Sequence, residues 1–513
     1  MRYSRIPPIL VFAIAISYAA IAQAFPQDGS STDSAQIVAL EQALRAAFAK
    51  IESSAFADAV PLLKAAIADP AFRELPADFS HLTYYSLGLA ELKTDDPKSA
   101  LLNLKLSTQS SLAEEDDWDL RLQAAYASHD YDDAAGSLTV IATRWPQSVS
   151  DYNDSAIFRL TRQAALISDD AAIALIEPIH AAKWRPSDKF DIADMVWLEL
   201  SRAYLARGKV PAAASVLNDV NDPGVLIRIR SEKIFDPVVA INPAHFDVTA
   251  ALEKEIANAK ALAAASPDKM EGIVSLSDVL LKANRPEEAL MILDDAIKRA
   301  TPADGSVSPF KDDENKLNWA LNNRARALYS LGRYQEQVDV LARAARMTED
   351  GSANVSQVIN LGDAYNSSGR PKETILAVAG LEKTPNASPY GKMALANTEA
   401  CAYAQLNDQA NLKTQLDYLR AHAADGAQML LGALICANDT EGAAAVLIAQ
   451  LQAPATRADT LYMLQDFIEP PHLTPIDRDG EQTMRALRAR PDVSAAISAV
   501  GRIGSYPILP PDF

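Results

Sequence analysis

Residues 359–385 read INLGDAYNSSGRPKETILAVAGLEKTP, and this stretch has the pattern of a helical hairpin. Two apolar-periodic runs are broken by Ser367, Ser368 and Gly369, and Gly369 suits a turn that needs positive φ. Pro371 stands just past the turn, where a missing N–H costs a new helix little. Gly362 and Thr374 lie twelve positions apart, and Val378 follows four later. Small side chains at such positions let two antiparallel helices approach closely. The residue one helical turn further on then points into the seam with the next pair.

The same spacing recurs in VWLELSRAYLARGKVPAAASVLNDV (196–220) and TYYSLGLAELKTDDPKSALLNLKL (83–106). Along the chain the pairs are Gly88/Ala100, Leu122/Ala134, Ser201/Ala213, Ser277/Ala289, Ala325/Gln337, Gly362/Thr374, Ala400/Leu412 and Gly432/Ala444. Four residues beyond each second member stand Leu104, Leu138, Leu217, Leu293, Leu341, Val378, Leu416 and Ile448, all aliphatic. Leu122, Gln337 and Leu412 exceed the small type, so those pairs are expected to splay. The set resembles the tetratricopeptide repeat (TPR), a helix–turn–helix unit of about 34 residues, and more narrowly the exported bacterial proteins built from it. Adding an opening pair at 40–67 and a pair without the signature at 160–179, the resemblance implies an all-α fold. It is expected to be an α-solenoid of about ten stacked TPR-like pairs, since one hairpin cannot bury both its faces.

Composition agrees with helix. The chain has 513 residues and 19 glycines, where average usage of about 7% would give roughly 36. Lys and Arg number 48 against 67 acids, a net charge of −19, which disfavours phosphate backbones and hence nucleic acid. Residues 1–24 pair Arg2 and Arg5 with an apolar run and end Ala22-Gln23-Ala24, the pattern of a cleaved secretory signal peptide. No later segment has the apolar length of a membrane span. The expected location is therefore the periplasm, with outer-membrane association or secretion as variants.

The expected organisation is a linker at 25–37, an N-terminal array at 38–220 and an irregular joint plus helix at 221–265. A second array at 266–452 and a C-terminal cap at 453–513 complete the chain. Thr249 is the expected N-cap of the helix in the joint. The polar insertion 302–316 reads as a protruding loop, EPPHLTPIDRDG (469–480) as a proline-rich loop, and YPILPPDF (506–513) as an extended tail.

Catalytic and metal patterns are absent from the sequence: the six histidines are scattered, and no HExxH, GxSxG or phosphate-loop motif occurs. No cofactor and no metal are expected. The acidic run AEEDDWDL (113–120) reads as a helix start, where acids favour the dipole, rather than a Ca²⁺ loop. Cys401 and Cys436, one repeat apart, are expected to sit on adjacent first helices about 8–10 Å apart and to remain unbonded, with a disulfide as the alternative. What remains is surface. The resemblance places partner-binding residues on the concave face, carried over to Asn322, Arg326, Tyr329, Asp363, Asn366, Ser367 and Asn397, with Cys401 beside them. The expected function is a non-catalytic scaffold of the bacterial cell envelope binding a protein or an extended peptide. The alternatives are an enzyme with His245, Asp236 and Asp247 at the joint, or a polysaccharide-binding scaffold.

Overall fold

A computed structural model describes residues 32–186, 190–301, 307–349, 352–384 and 387–510. The expected signal peptide and most of the linker lie outside the described residues, as do 302–306 of the polar insertion. The chain divides into two compact units, Met1–Asp219 and Val220–Phe513.

The first unit pairs α1 (Thr32–Glu52) with α2 (Phe56–Ala68), α3 (Ala77–Lys93) with α4 (Pro97–Ser107), and α5 (Glu115–Ala127) with α6 (Tyr131–Arg144). It continues with α7 (Asp154–Ile167) and α8 (Asp169–Ala181), then α9 (Phe190–Ala206) and α10 (Val210–Leu217). Each second helix packs on the first helix of the next pair, so the hairpins stack.

The second unit opens with α11 (Pro223–Ser231), α12 (Asp236–Val239) and α13 (Val248–Ala265). Its hairpins are α14 (Glu271–Lys282) with α15 (Pro286–Ala300), α16 (Asp313–Ser330) with α17 (Tyr334–Ala344), and α18 (Val355–Ser367) with α19 (Pro371–Val378). Then come α20 (Pro389–Gln405) with α21 (Gln409–Ala421) and α22 (Ala427–Cys436) with α23 (Thr440–Gln452). Three further helices, α24 (Pro454–Met463), α25 (Pro475–Ala489) and α26 (Pro491–Val500), end it. Apart from a two-residue ladder, Thr348–Glu349 with Ser352–Ala353, and isolated bridges, the described regular structure is helical. The fold is all-α, built of stacked TPR-like hairpins.

One backbone device closes the signature hairpins. Gly208, Gly332 and Gly369 have φ of 69°, 72° and 68°, and Asp95, His129, Asn284 and Asn407 adopt the same left-handed state. Each lies seven residues after its pair's first small-slot residue, and the next N–H reaches back five residues. Asp96 N donates to Glu91 O at 2.8 Å, Asp130 N to Ala125 O at 2.9 Å and Arg370 N to Tyr365 O at 2.8 Å. This is a Schellman closure, which satisfies carbonyls that a helix end would leave orphaned.

The same device corrects the last pair. Asn438 has φ 56°, seven residues after Leu431 rather than Gly432. The crossing there is Leu431/Ala443/Leu447, all fully buried, while Gly432 and Ile448 are only half-buried. Ser54, with φ 60°, likewise sets the opening hairpin at Ala47/Ala59/Leu63, buried completely.

How tight a crossing is varies. A Cβ on Gly88 would lie 2.5 Å from Leu104 Cγ, and one on Gly362 2.9 Å from Thr398 Cγ2 and 3.0 Å from Val378 Cγ1. Leu122 and Leu412 are nonetheless buried at their own crossings, and Gln337 half-buried. The α7–α8 pair closes differently: Ser168 is extended and its hydroxyl caps α8 by accepting from Ala171 N at 3.1 Å.

Elements of the expected joint and end differ in detail. The nine-residue helix α11 fills part of the stretch read as irregular, because Asp222 caps it and Pro223 takes its first position. Asp247, not Thr249, caps α13, accepting from Thr249 N at 2.9 Å and Ala250 N at 3.1 Å. Thr474 and Pro475 start α25 inside the segment read as a loop. The last described residues tuck back: Ile508 and Leu509 are buried, Leu509 N donates to Lys282 O at 2.9 Å and Arg502 pairs with Asp236 at 2.6 Å. At Gly501 a Cβ would fall 2.4 Å from Ser231 O, so only glycine fits. Lys282 ties this region together, with Glu255 at 2.8 Å and Asp222 at 3.5 Å. Burial works against its charge, yet the two carboxylates outweigh burial and hold its pKa above the ordinary lysine value.

Candidate functional site

The first helices α16, α18 and α20 of the second unit carry all seven residues assigned to partner binding. Amides dominate. Asn360 Nδ2 donates to Asn322 Oδ1 at 2.8 Å, and Asn323 Nδ2 donates to Ser277 Oγ at 2.9 Å and Val274 O at 3.2 Å. Asn322 is thus part of an amide ladder linking successive hairpins, and it is buried. Asn366 is buried too; its Nδ2 donates to Thr398 O and its Oδ1 accepts from Thr374 Oγ1, both at 2.9 Å. Arg326 forms an ion pair with Asp278 at 2.6 Å across to α14. Asn397 is half-buried and its Oδ1 has no partner among the described residues, beside the bare Cα of Gly432. An amide oxygen held in that state is an acceptor in want of an N–H.

Three of the seven gather round one point that the sequence reading missed. Asp477, in the first turn of α25, receives Ser367 Oγ on Oδ1 at 2.9 Å and Tyr329 OH on Oδ2. Its own N-cap residue, Thr474, donates to Oδ2 at 2.8 Å. Next to it Tyr334 OH donates to His472 O at 2.9 Å. Asp363 stands nearby. It is an exposed residue, and Thr398 Oγ1 donates to its carboxylate at 2.7 Å. Crowding by protein, with a smaller push from the Asp477 charge and opposed by Thr398, drives its pKa up to about 6. Burial and then Asp477 likewise push the Tyr329 phenol above its ordinary range.

Cys401 and Cys436 are bonded, correcting the unbonded expectation; their Cα atoms are 5.0 Å apart. The estimate from interaxial distance failed because Cys436 is the last residue of α22, where the chain departs from the helix packing that sets that distance.

The residues suspected of catalysis do not converge: Asp236 pairs with Arg502, Asp247 caps α13, and His245 stacks edge-on against Phe246. A Ser107–His81–Asp117 cluster in the first unit has the right residue types for nucleophilic chemistry but the wrong order. The buried Ser107 hydroxyl gives its proton to Asp117; His81 Nδ1 lies 3.5 Å from that hydroxyl and 3.3 Å from Ser107 O. His81 Nε2 faces Asp117 at 3.4 Å, so the serine is held by the acid rather than by a base. Glu114 and Asp117 form the capping box of α5, so the acidic run is a helix start. No group of His, Cys, Asp and Glu among the described residues is arranged to hold a metal, and no described helix is long and apolar enough to cross a membrane.

No protein-family model matches the chain, and no curated protein matches it. Among solved structures it is similar to the APC/C hetero-tetramer Cut9–Hcn1, with 15% identity over 90% of this chain and 89% of that one and a TM-score of 0.29. It is also similar to a Rap protein complexed with competence and sporulation factor, with 13% identity over 87% of this chain and 99% of that one and a TM-score of 0.28.

Asp477, Tyr334 and His472 left one trace in the sequence. Thr474-Pro475-Ile476-Asp477 is a capped helix start, with a hydroxyl at N-cap, proline at N1 and an acid at N3. The neighbouring Pro470-Pro471, which made the whole segment read as a loop, masked it.

Proposed function

We propose that the chain is a non-catalytic scaffold of the bacterial cell envelope, binding a protein or an extended peptide through the first-helix face of its TPR-like hairpins. One observation carries this reading: that face already holds polypeptide, in the form of residues 472–477, through side chains of α16 and α18 and the start of α17. On another first helix of the same unit, Asn397 keeps a buried Oδ1 that has no hydrogen-bond partner among the described residues. The disulfide favours an oxidising compartment over the cytosol, in keeping with an exported chain. Net charge −19 argues for a protein rather than nucleic acid as partner.

The test is affinity capture from envelope extracts with three full chains: unaltered, Arg326→Glu and Arg324→Glu. Both substitutions break an ion pair of α16, with Asp278 and Asp294 respectively, and Arg326→Glu also removes a 3.3 Å donation to Asn323, so a melt of each chain accompanies the capture. Only Arg326 stands at a position assigned to the binding face. The expected result is loss of the captured protein with Arg326→Glu alone. Equal recovery from all three would remove this face from the reading.

A further inference from the structure

We infer that residues 472–480 are a latch: a built-in ligand occupying the turn-ward end of the α16–α18 face until a partner segment with a carboxylate at its helix start displaces it. This rests on the scaffold reading and names the chemistry that the face accepts.

The grip is polar and specific. Both oxygens of Asp477 are taken, by Ser367, Tyr329 and Thr474, and all three donors are neutral hydroxyls. Such donors read the direction and spacing of a carboxylate without the strength of an arginine fork. The hairpin turns fit closely beneath: a Cβ on Gly332 would lie 3.3 Å from the His472 ring, and one on Gly369 3.7 Å from Ile476 Cδ1. Yet little apolar surface fixes the first turns of α25. Its buried residue is Leu487, far along the helix, while Ile476 is exposed, and within 472–480 only Leu473 and Thr474 are buried. Leu487 belongs to the core formed with α22, α23 and α26, so the far half of α25 can stay in place while the near half lifts. A second feature works against the docked state. Asp363 sets a like charge close to Asp477, so the hydroxyls hold a group that its neighbour repels. An acidic helix start is therefore what the face recognises, and the resident one is held loosely enough to be exchanged.

The probe is a labelled synthetic peptide of residues 469–490, with a second peptide carrying Ala in place of Asp477. On the full chain, Asp477→Ala should bind the first peptide at least about tenfold more tightly than the unaltered chain, because the competing latch is weakened. The alanine peptide should lose that gain. Because Asp477→Ala also removes the acid at N3 that the N-cap hydroxyl of Thr474 donates to, Tyr329→Phe serves as the receptor-side variant. It should speed amide hydrogen exchange at 472–480 without altering the helix ends of the latch itself. Equal peptide affinity for both chains, equal binding of the two peptides, or unchanged exchange in Tyr329→Phe each overturns the latch. None of these measurements involves the captured partner, so the latch and the scaffold reading fail separately.

Discussion

The hairpin crossings and the first-helix face of the second unit obey different physics, although they share helices. At a crossing the requirement is steric: Gly88 meets Leu104 with no room for a methyl group, and the interval of twelve residues follows from helix geometry. On the face the requirement is mutual satisfaction of polar groups, and the partner of each group comes from wherever the chain happens to return. Tyr329 finds Asp477 at a separation of 148 residues, which no local pattern encodes. Steric rules repeat and polar solutions do not.

The largest effect should come from the crossing whose register the structure moved by one. Leu447→Ala empties a fully buried site and should cost about 2–5 kcal/mol. Ile448→Ala, at the half-buried neighbour, should cost about 1 kcal/mol or less. Denaturant melts of the two variants decide between the registers, and a reversed order would restore Gly432/Ala444/Ile448.

Removing the Cys401–Cys436 bond should come next. Freeing a loop of 35 residues costs about 3–4 kcal/mol by chain entropy, less whatever structure the reduced chain retains. A melt with and without reductant measures it, and a Cys401→Ser, Cys436→Ser double variant should match the reduced chain. No shift on reduction would mean the two first helices hold together without the bond.

Gly88→Ala should destabilise by about 1–3 kcal/mol, since Leu104 must move to admit the methyl group. Gly136→Ala, within α6 and with nothing within 4 Å, should instead be neutral or gain up to about 1 kcal/mol from helix propensity. This pair separates steric demand from propensity, and equal effects would erase the contrast between a tight crossing and an open helical site.

These cases mark how far the sequence could be read. The hairpins, their turns and their proline starts were legible because each depends on residues within one repeat. Even there Gly432 misled, since a small residue fits a half-open position as readily as a crossing, and the left-handed Asn438 is the better guide. The face was legible in location only. Asn322 and Asn366 were marked as partner-binding amides and lie in ladders between hairpins, whereas Tyr329 and Ser367 hold the chain's own end. An amide on an inner helix looks the same in sequence whether its partner is a neighbour or a ligand. The disulfide was missed for a related reason, because an axis-to-axis distance says nothing about where a helix ends.

The smallest expected effect bears on the face itself. Asp363 has a folded-state pKa raised to about 6, so the native chain binds a proton there more readily than the unfolded chain does. Its contribution is therefore most favourable below the ordinary carboxylate value and is lost as pH rises through about 6. Asp363→Asn keeps an oxygen for Thr398 Oγ1 and removes the charge, so it should melt higher than the unaltered chain at pH 7.5 and alongside it at pH 3.5. Because Asp363 is exposed, solvent screening trims the gain to about 1–2 °C. The difference should shrink further in an Asp477→Asn background, where the repelling partner is gone. A gain of the same size in both backgrounds would trace the effect to crowding alone and leave Asp477 without a part in it.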